Sequence, residues 1–370
     1  MKKIFSLLTL ALVLGFLSVP LVSADGLTIT PPKFEYTVDP GETLNGIVKL
    51  TNGGETLLSL TSDVQDFVAG NETGTPSFVS DADNSISLRS WITVNDNQPV
   101  VLEAGEKKEI PFTINIPNEA EPGGHYGAIF FQPPAGEGQV AVVQKIGALV
   151  LIRVSGEIRE EGNLNYFGTY AGEKSDKILE ELAKTSFFEN FPVSFAIRFE
   201  NTGNTHVKPT GKIELYNFGQ KLSSVGVETI LNPQGVVIDQ TIVDYLPVND
   251  GRGNSLANSF RRFDTTFQGE AYWYRNDDGT KEIRYRGLPM GYYSAKLTLD
   301  YGSGNETITR DISFIVLPWK ETLGGLIALA VLILLFTKYR RWSHARLKAQ
   351  LMAEMNNSEA KKAVKKSMKK

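Results

Sequence analysis

Three histidines, at 125, 206 and 344, are the only imidazoles in this 370-residue chain, and there is no cysteine. Thiolate chemistry, disulfides, thiolate metal sites and a lipid-modified N-terminal cysteine are therefore excluded. The sequence contains no HExxH pair, no GxSxG elbow, no phosphate-cradling glycine loop and no carboxylate-rich calcium loop. Asp and Glu number 42, but paired-carboxylate catalysis depends on separation in space, and no spacing nominates a pair. The residues thus point to binding rather than catalysis, with no cofactor and no metal.

The best binding candidates lie in NSFRRFDTTFQGEAYWYRNDDGTKEIRYRG, residues 258–287. With Asp278-Gly279 as a two-residue hairpin turn, Tyr272 would face Tyr285 and Tyr274 would face Ile283. Trp273 would then oppose Arg284, and Arg275 would oppose Glu282. One face, Tyr272, Tyr274, Ile283 and Tyr285, can join a core. The other stacks Arg284 on Trp273 as a self-satisfied surface ladder, or presents both to a ligand. Trp273, Arg275 and Arg284 are therefore the candidate ligand-binding residues. Trp91, in SLRSWITV, could stack on a sugar, but its neighbours Ile92 and Val94 make it a core tryptophan. Asn71-Glu72-Thr73 and Asn305-Glu306-Thr307 match the glycosylation acceptor pattern, which would mean little in a bacterial chain.

The elements that must position these residues read as strands. Ile110, Phe112, Ile114 and Ile116 alternate with polar neighbours or Pro111, and so do Val193, Phe195, Ile197 and Phe199, and Tyr293, Ala295, Leu297, Leu299 and Tyr301. Between such runs stand turn signals: Asp39-Pro40-Gly41-Glu42, with type II character, Asn52-Gly53-Gly54, Asn201-Thr202-Gly203 and Asn232-Pro233. Two phrases occur twice. PGGHYGA (122–128) is echoed by PMGYYSA (289–295), and VKLTNGGET (48–56) by IRFENTGNT (197–205). In the first pair the proline ends a connection, Gly124 or Gly291 supplies an unusual backbone angle, and the Tyr and Ala that follow start a strand. The spacing predicts an all-β ectodomain of two tandem sandwiches, 25–155 and 158–317, the second with a long hairpin insertion near 249–288. A short helical excursion is expected at Ser175–Lys184, with Ser175 as its N-cap.

Both ends differ from the middle. Residues 1–24 have two lysines, an apolar run and a Val-Ser-Ala cluster, the layout of a secretory signal peptide. Thr322 to Thr337 is uncharged and flanked by Trp319, Lys320, Lys338, Tyr339 and Trp342, as expected of a single transmembrane helix. From Lys338 to Lys370 there are eleven Lys or Arg against two Glu, so the positive-inside rule places this basic tail in the cytoplasm. Setting aside the tail and the two leader lysines leaves a net charge of about −15 on the remainder. An acidic ectodomain disfavours polyanions, and the lysine-rich tail lacks interleaved aromatics, so its partner is anionic lipid rather than nucleic acid.

This arrangement resembles the WxL-interacting surface proteins of Gram-positive bacteria. The likeness lies in YTVDPGETLNGIVKLTN (36–52), SWITV (90–94), VLEAGEKKEIPFTINIP (101–117), PGGHYGAIFF (122–131) and FAIRFENTGNTHVKPTGKIELYN (195–217). The resemblance implies two immunoglobulin-like domains, a cytoplasmic-membrane location with the domains outside, and peptidoglycan or another surface protein as partner. A chaperone-like factor that assembles secreted or surface subunits is the alternative, since the pilus chaperones of the periplasm also carry two tandem sandwiches.

Overall fold

Alternation of apolar and polar residues has its expected consequence. Ile110, Phe112, Ile114 and Ile116 are all buried in one core, and Val193, Phe195, Ile197 and Phe199 in another. The structure is a computed structural model that describes residues 26–79, 87–134, 145–172, 177–231, 237–287 and 290–367, with backbone alone for 231 and 356–367. The expected signal peptide (1–24), the Asn232-Pro233 turn, Ser175 and Pro289 lie outside the described residues.

The chain forms two tandem immunoglobulin-like β-sandwiches followed by one helix. In the first sandwich, one sheet has the spatial order Leu27–Thr30, Thr43–Asn52, Lys107–Asn115, Ile92–Val94. The facing sheet runs Lys33–Val38, Ile146–Val154, Gly123–Gln132, Leu58–Ala69, Pro76–Val79, with Val100–Leu102 also paired to Leu58–Ala69. In the second sandwich the sheets are Ala183–Lys184, Gly162–Ala171, Val193–Asn201, Ser259–Phe267, and Phe187–Phe188, Glu306–Val316, Gly291–Tyr301, Thr210–Asn217, Gln220–Lys221. Leu246–Val248 also pairs with Thr210–Asn217. Each sandwich has one parallel pairing at the corresponding place, Lys33–Val38 on Ile146–Val154 and Phe187–Phe188 on Glu306–Val316.

The duplicated Asn turns have one physical cause. Asn52 and Asn201 are fully buried at strand ends, and each amide ties a corner together. Asn52 Nδ2 donates to the carbonyls of Thr56 and Glu103, both at 2.8 Å, and its Oδ1 accepts from Gly54 N at 3.0 Å. Asn201 Nδ2 donates to Thr205 O at 2.8 Å and Ser255 O at 2.9 Å, and its Oδ1 accepts from Gly203 N at 3.0 Å. Chain reversals that would leave buried carbonyls unpaired are thus satisfied by one side chain. The Asp39–Glu42 turn forms as expected, with Gly41 at φ 82° and Glu42 N bonded to Asp39 O at 3.2 Å.

The other repeated phrase behaves differently. Gly123–Gln132 and Gly291–Tyr301 occupy equivalent places in the two sheets, but their side chains are one residue out of phase. Tyr293 and Ala295 point into the second core. Tyr126 and Ala128 instead join a separate cluster with Phe67, Phe130 and Leu151 on the outer face of the first sandwich, while His125 is buried against Trp91. The unusual backbone angle is at Gly123, φ 135°, and not at Gly124 or Gly291. Trp91 is buried, its ring centroid 4.6 Å from that of His125, so it offers no sugar platform.

Two further expectations are corrected. The 249–288 segment is not one insertion, because Ser259–Phe267 pairs along its whole length with Val193–Asn201 and buries Phe263 and Phe267. Only Glu270–Arg286 projects as a hairpin, and a second hairpin, Gly226–Leu231 with Val237–Val243, was not legible. The described part of 175–184 holds a single 3₁₀ turn, Leu179–Glu181, and then a two-residue strand, Ala183–Lys184. Tertiary contacts override helix propensity there, since Leu179 and Leu182 pack on Tyr170 and Ala196.

The final helix runs from Trp319 to Ser367, and its Trp319–Met355 portion is long and apolar enough to cross a membrane. The basic residues from Lys338 to Lys366 continue the same helix. Replacing Asn201 by alanine should cost about 3 kcal/mol, because two carbonyls lose their donor in a buried corner. Urea unfolding will show this as a lowered midpoint, whereas Asn45→Ala, at an exposed position, should leave the midpoint nearly unchanged.

Candidate binding site between the two sandwiches

Arg198 and Arg262 face each other across adjacent strands. Like charges in register repel, so this pair requires a counter-charge. It comes from the first sandwich. The Leu58–Ala69 and Pro76–Val79 strands are joined by a tight turn in which Asn71 Oδ1 accepts from Thr73 N at 3.0 Å and Thr73 Oγ1 at 2.7 Å. The turn aims Glu72 into the second sandwich. Arg198 Nε lies 2.7 Å from Glu72 Oε2, an ion pair whose angle departs from that of a hydrogen bond, and Arg262 Nη1 lies 3.6 Å from Glu72 Oε1. Leu179 N also donates to Glu72 Oε1, and Arg262 N donates to Glu72 O at 2.5 Å. Asp264, 3.1 Å from Arg262 Nε, completes the charge balance and accepts from Tyr170 Oη at 3.2 Å. The Arg262 side chain is wholly buried, and Glu72 and Asp264 nearly so.

The same junction is tied at three further points. Glu35 accepts from Lys208 and from Asn254 Nδ2, the latter at 2.6 Å, and pairs with Lys33 at 2.8 Å. Arg153 donates to Glu160 at 2.6 Å, and Glu160 accepts from Ser303 N at 2.6 Å. Asn204, in the NTGNT echo, accepts at its carbonyl from Gly124 N at 2.8 Å, and its Nδ2 donates to Pro122 O at 3.3 Å. A Cβ at Gly123 would come within 2.6 Å of that carbonyl. One copy of each repeated phrase therefore meets at the junction, PGG from the first sandwich against NTGN from the second.

Several cavities open beside these ties, two of them walled in part by Phe67 on the apolar outer face of the first sandwich. The larger, about 460 Å³, lies between Asp66, Phe67, Val79, Tyr126, Asn204 and Leu256. The smaller, about 120 Å³, is walled by Phe67, Leu149, Leu151 and Leu256 and holds Arg261 and Asn254. The Arg261 guanidinium lies against Gly74, and its Nε is buried with no acceptor among the described residues. No carboxylate pairs with it among the described residues, and burial pushes its pKa down. Nearby Asn254 Oδ1 is likewise buried without a donor. The pocket can take an anion at its floor and apolar groups along its walls.

The hairpin carrying Trp273, Arg275 and Arg284 is displaced by one residue from the expected register. Tyr272 faces Arg284, Trp273 faces Ile283, Tyr274 faces Glu282, and Arg275 faces Lys281. The loop has three residues rather than two, closed by Asn276 N to Thr280 O at 2.9 Å with Gly279 at φ 86°. Arg284 therefore stacks on Tyr274, 3.5 Å from its centroid, and not on Trp273, which shares the other face with Arg275. The three residues do not form one surface. Arg284 is also paired with Glu282. Sequence reading missed Glu72, Arg261 and Arg262, although two arginines on strands that must pair were a usable signal.

No protein-family model matches the chain, and no curated protein matches it. Among solved structures it is similar to the class 5 fimbriae chaperone CfaA, with 12% identity and a TM-score of 0.32, over 79% of this chain and 100% of that one. The Escherichia coli chaperone DraB matches with 10% identity and a TM-score of 0.29, over 79% and 97%. The CsuC–CsuE chaperone–tip adhesion subunit pre-assembly complex of Acinetobacter baumannii matches with 13% identity and a TM-score of 0.28, over 64% and 89%.

The junction should respond to acid. Burial works against the Glu35 carboxylate, but hydrogen bonds from Lys208, Lys33 and Asn254 outweigh it and hold the pKa at about 2, below its usual 4.5. Burial holds His206 at about 4, below its usual 6.5, with the Glu35 charge opposing in part. Both folded values are depressed, so these contributions are complete above the ordinary values and are lost as pH falls. Melting temperature should decline first between pH 6.5 and about 4 through His206, and again from 4.5 to about 2 through Glu35. In a pH series of thermal melts, His206→Gln should flatten the first decline and leave the second in place.

Proposed function

We propose that the protein is a membrane-held, extracytoplasmic binding protein that works without catalysis. Its fixed two-domain junction receives an extended segment of another surface protein. The observation that carries this reading is Arg261, a partly buried guanidinium with no carboxylate partner among the described residues, on the floor of an apolar pocket. Arg153, Arg198 and Arg262 around the same junction are all paired. An anionic group on an apolar chain, such as a peptide carboxylate, is the chemistry that complements it.

The leader-like N-terminus, the apolar helix and the basic residues beyond it support an orientation with both sandwiches outside and the C-terminus in the cytoplasm. The resemblance to the WxL-interacting surface proteins supports a wall-facing role and adds peptidoglycan as a ligand of the first sandwich. A second reading, assembly of secreted or surface subunits, is favoured by the half-exposed Phe78 on the edge strand Pro76–Val79 beside the cleft. An extended strand could pair with that edge.

The test uses the full chain in lipid nanodiscs, titrated with fluorescent apolar peptides that have free or amidated C-termini, with sedimentation on insoluble peptidoglycan alongside. A charge-assisted contact is worth about 1.5–3 kcal/mol, so Arg261→Gln and amidation should each weaken peptide binding by about tenfold or more. Equal binding of both peptides by both proteins contradicts the Arg261 reading. Retention on peptidoglycan without peptide binding moves the function to the wall.

A further inference from the structure

The outer face of the second sandwich is polar along most of its length. On the Gly291–Tyr301 and Glu306–Val316 strands it presents Ser294 opposite Ser313, Lys296 opposite Asp311, and Thr298 opposite Thr309. At the end nearest the helix the character changes. Phe187 pairs with Ile315, Ile315 with Tyr292, and Phe218 follows in line, its N–H donating to Tyr292 O at 3.1 Å. These four side chains are 45%, 41%, 48% and 73% exposed. Their strand neighbours Phe188, Tyr293, Phe314 and Val316 point the other way, into the core. One apolar row thus crosses three strands and the adjoining turn on the solvent face.

Phe218 adds an independent sign. It occupies the first central position of a two-residue turn, Phe218-Gly219, with φ 46° and 81°. This left-handed turn ordinarily takes Asn-Gly, and a bulky aromatic there is a backbone outlier. Its ring covers no core and is the most exposed of the large hydrophobic side chains among the described residues of both sandwiches.

The helix fixes where this row sits. Ile315 and Trp319 are four positions apart in the chain, a reach of at most about 14 Å even when extended. The connection is tighter than that, since Leu317 N bonds Phe188 O and Trp319 N bonds Leu317 O, both at 2.8 Å. Lys320, in the first helical turn, is paired with Glu189 of the sandwich at 2.8 Å. Trp319 stands where an interfacial tryptophan anchors a membrane span.

We propose that Phe187, Phe218, Tyr292 and Ile315 seat the second sandwich on the bilayer, within the headgroup layer of the leaflet that Trp319 enters. Exposed rows of aromatic and aliphatic side chains beside a span gain by entering the interface, and the sandwich then stands at a defined height and tilt. The occupant is lipid. This inference rests on the reading that the apolar helix spans a membrane.

The absence of cysteine makes the test direct. Single variants Phe218→Cys, Tyr292→Cys, Ile47→Cys and Leu329→Cys of the full chain are spin-labelled in nanodiscs of phosphatidylcholine and phosphatidylglycerol. Each is checked for an unchanged melting temperature. Collision with oxygen, which partitions into lipid, is compared with collision with a water-soluble nickel chelate. Labels at 218, 292 and 329 should favour oxygen, and the label at 47, on the exposed face of the first sandwich, should favour nickel. Nickel preference at 218 and 292 with oxygen preference at 329 overturns the seating while the span stands. Nickel preference at 329 overturns the span reading itself. Protection of 218 and 292 from both reagents shows a protein cover and also overturns the proposal.

Discussion

A single carboxylate inserted between two arginines determines how the two halves of this protein are joined. Arg198 and Arg262 are cross-strand neighbours in the second sandwich, and Glu72 reaches them from the first. Buried ion pairs are weak sources of net stability, because desolvation offsets most of their attraction. Their breakage is costly, however, since it leaves an uncompensated buried charge. The cluster therefore acts by forbidding alternatives. Any orientation that withdraws Glu72 leaves Arg262 with Asp264 alone and Arg198 with only the exposed Glu180, one counter-charge short at the seam, so one arrangement is favoured over a hinge.

That constraint gives the junction a definite shape. Glu35, Asn204 and the Arg153–Glu160 pair fasten other points along the same seam. The outer face of the first sandwich can consequently be apolar, with Phe67, Ala128, Phe130 and Leu151 packed beneath Leu256 from the second. Cavities remain where the two surfaces do not meet, and Arg261 lies in one of them. The pocket is a by-product of rigid joining, and Arg261, with no carboxylate partner among the described residues, is the cation it offers.

Much of the architecture was legible because it depends on local chemistry. Period-two alternation located the core-facing residues of both sandwiches, and Asp39-Pro40-Gly41-Glu42 defined its own turn. The apolar helix was legible from composition, since sixteen uncharged residues have few alternatives. The hairpin at 270–286 shows where such reading stops. A loop of three residues rather than two moved every cross-strand partner by one, separating Arg284 from Trp273. Glu72 was less legible still, because its neighbours in sequence give only an acceptor-like Asn-Glu-Thr turn. Its partners lie far away in the chain, at 198 and 262. The repeated Pro-x-Gly phrase misled in an instructive way. Its copies occupy equivalent strands, yet their faces are out of phase, because the first copy serves a domain junction and the second a core.

That the two sandwiches form one body held by Glu72 is tested most directly by pulsed electron-spin distance measurement. The full chain in nanodiscs carries spin labels at Asn45→Cys and Thr309→Cys, one on each sandwich. A single narrow distance distribution is expected, and it should broaden when Glu72→Ala is added. A broad distribution in the protein with Glu72 intact, or a narrow one that survives its removal, would contradict a junction held by that carboxylate.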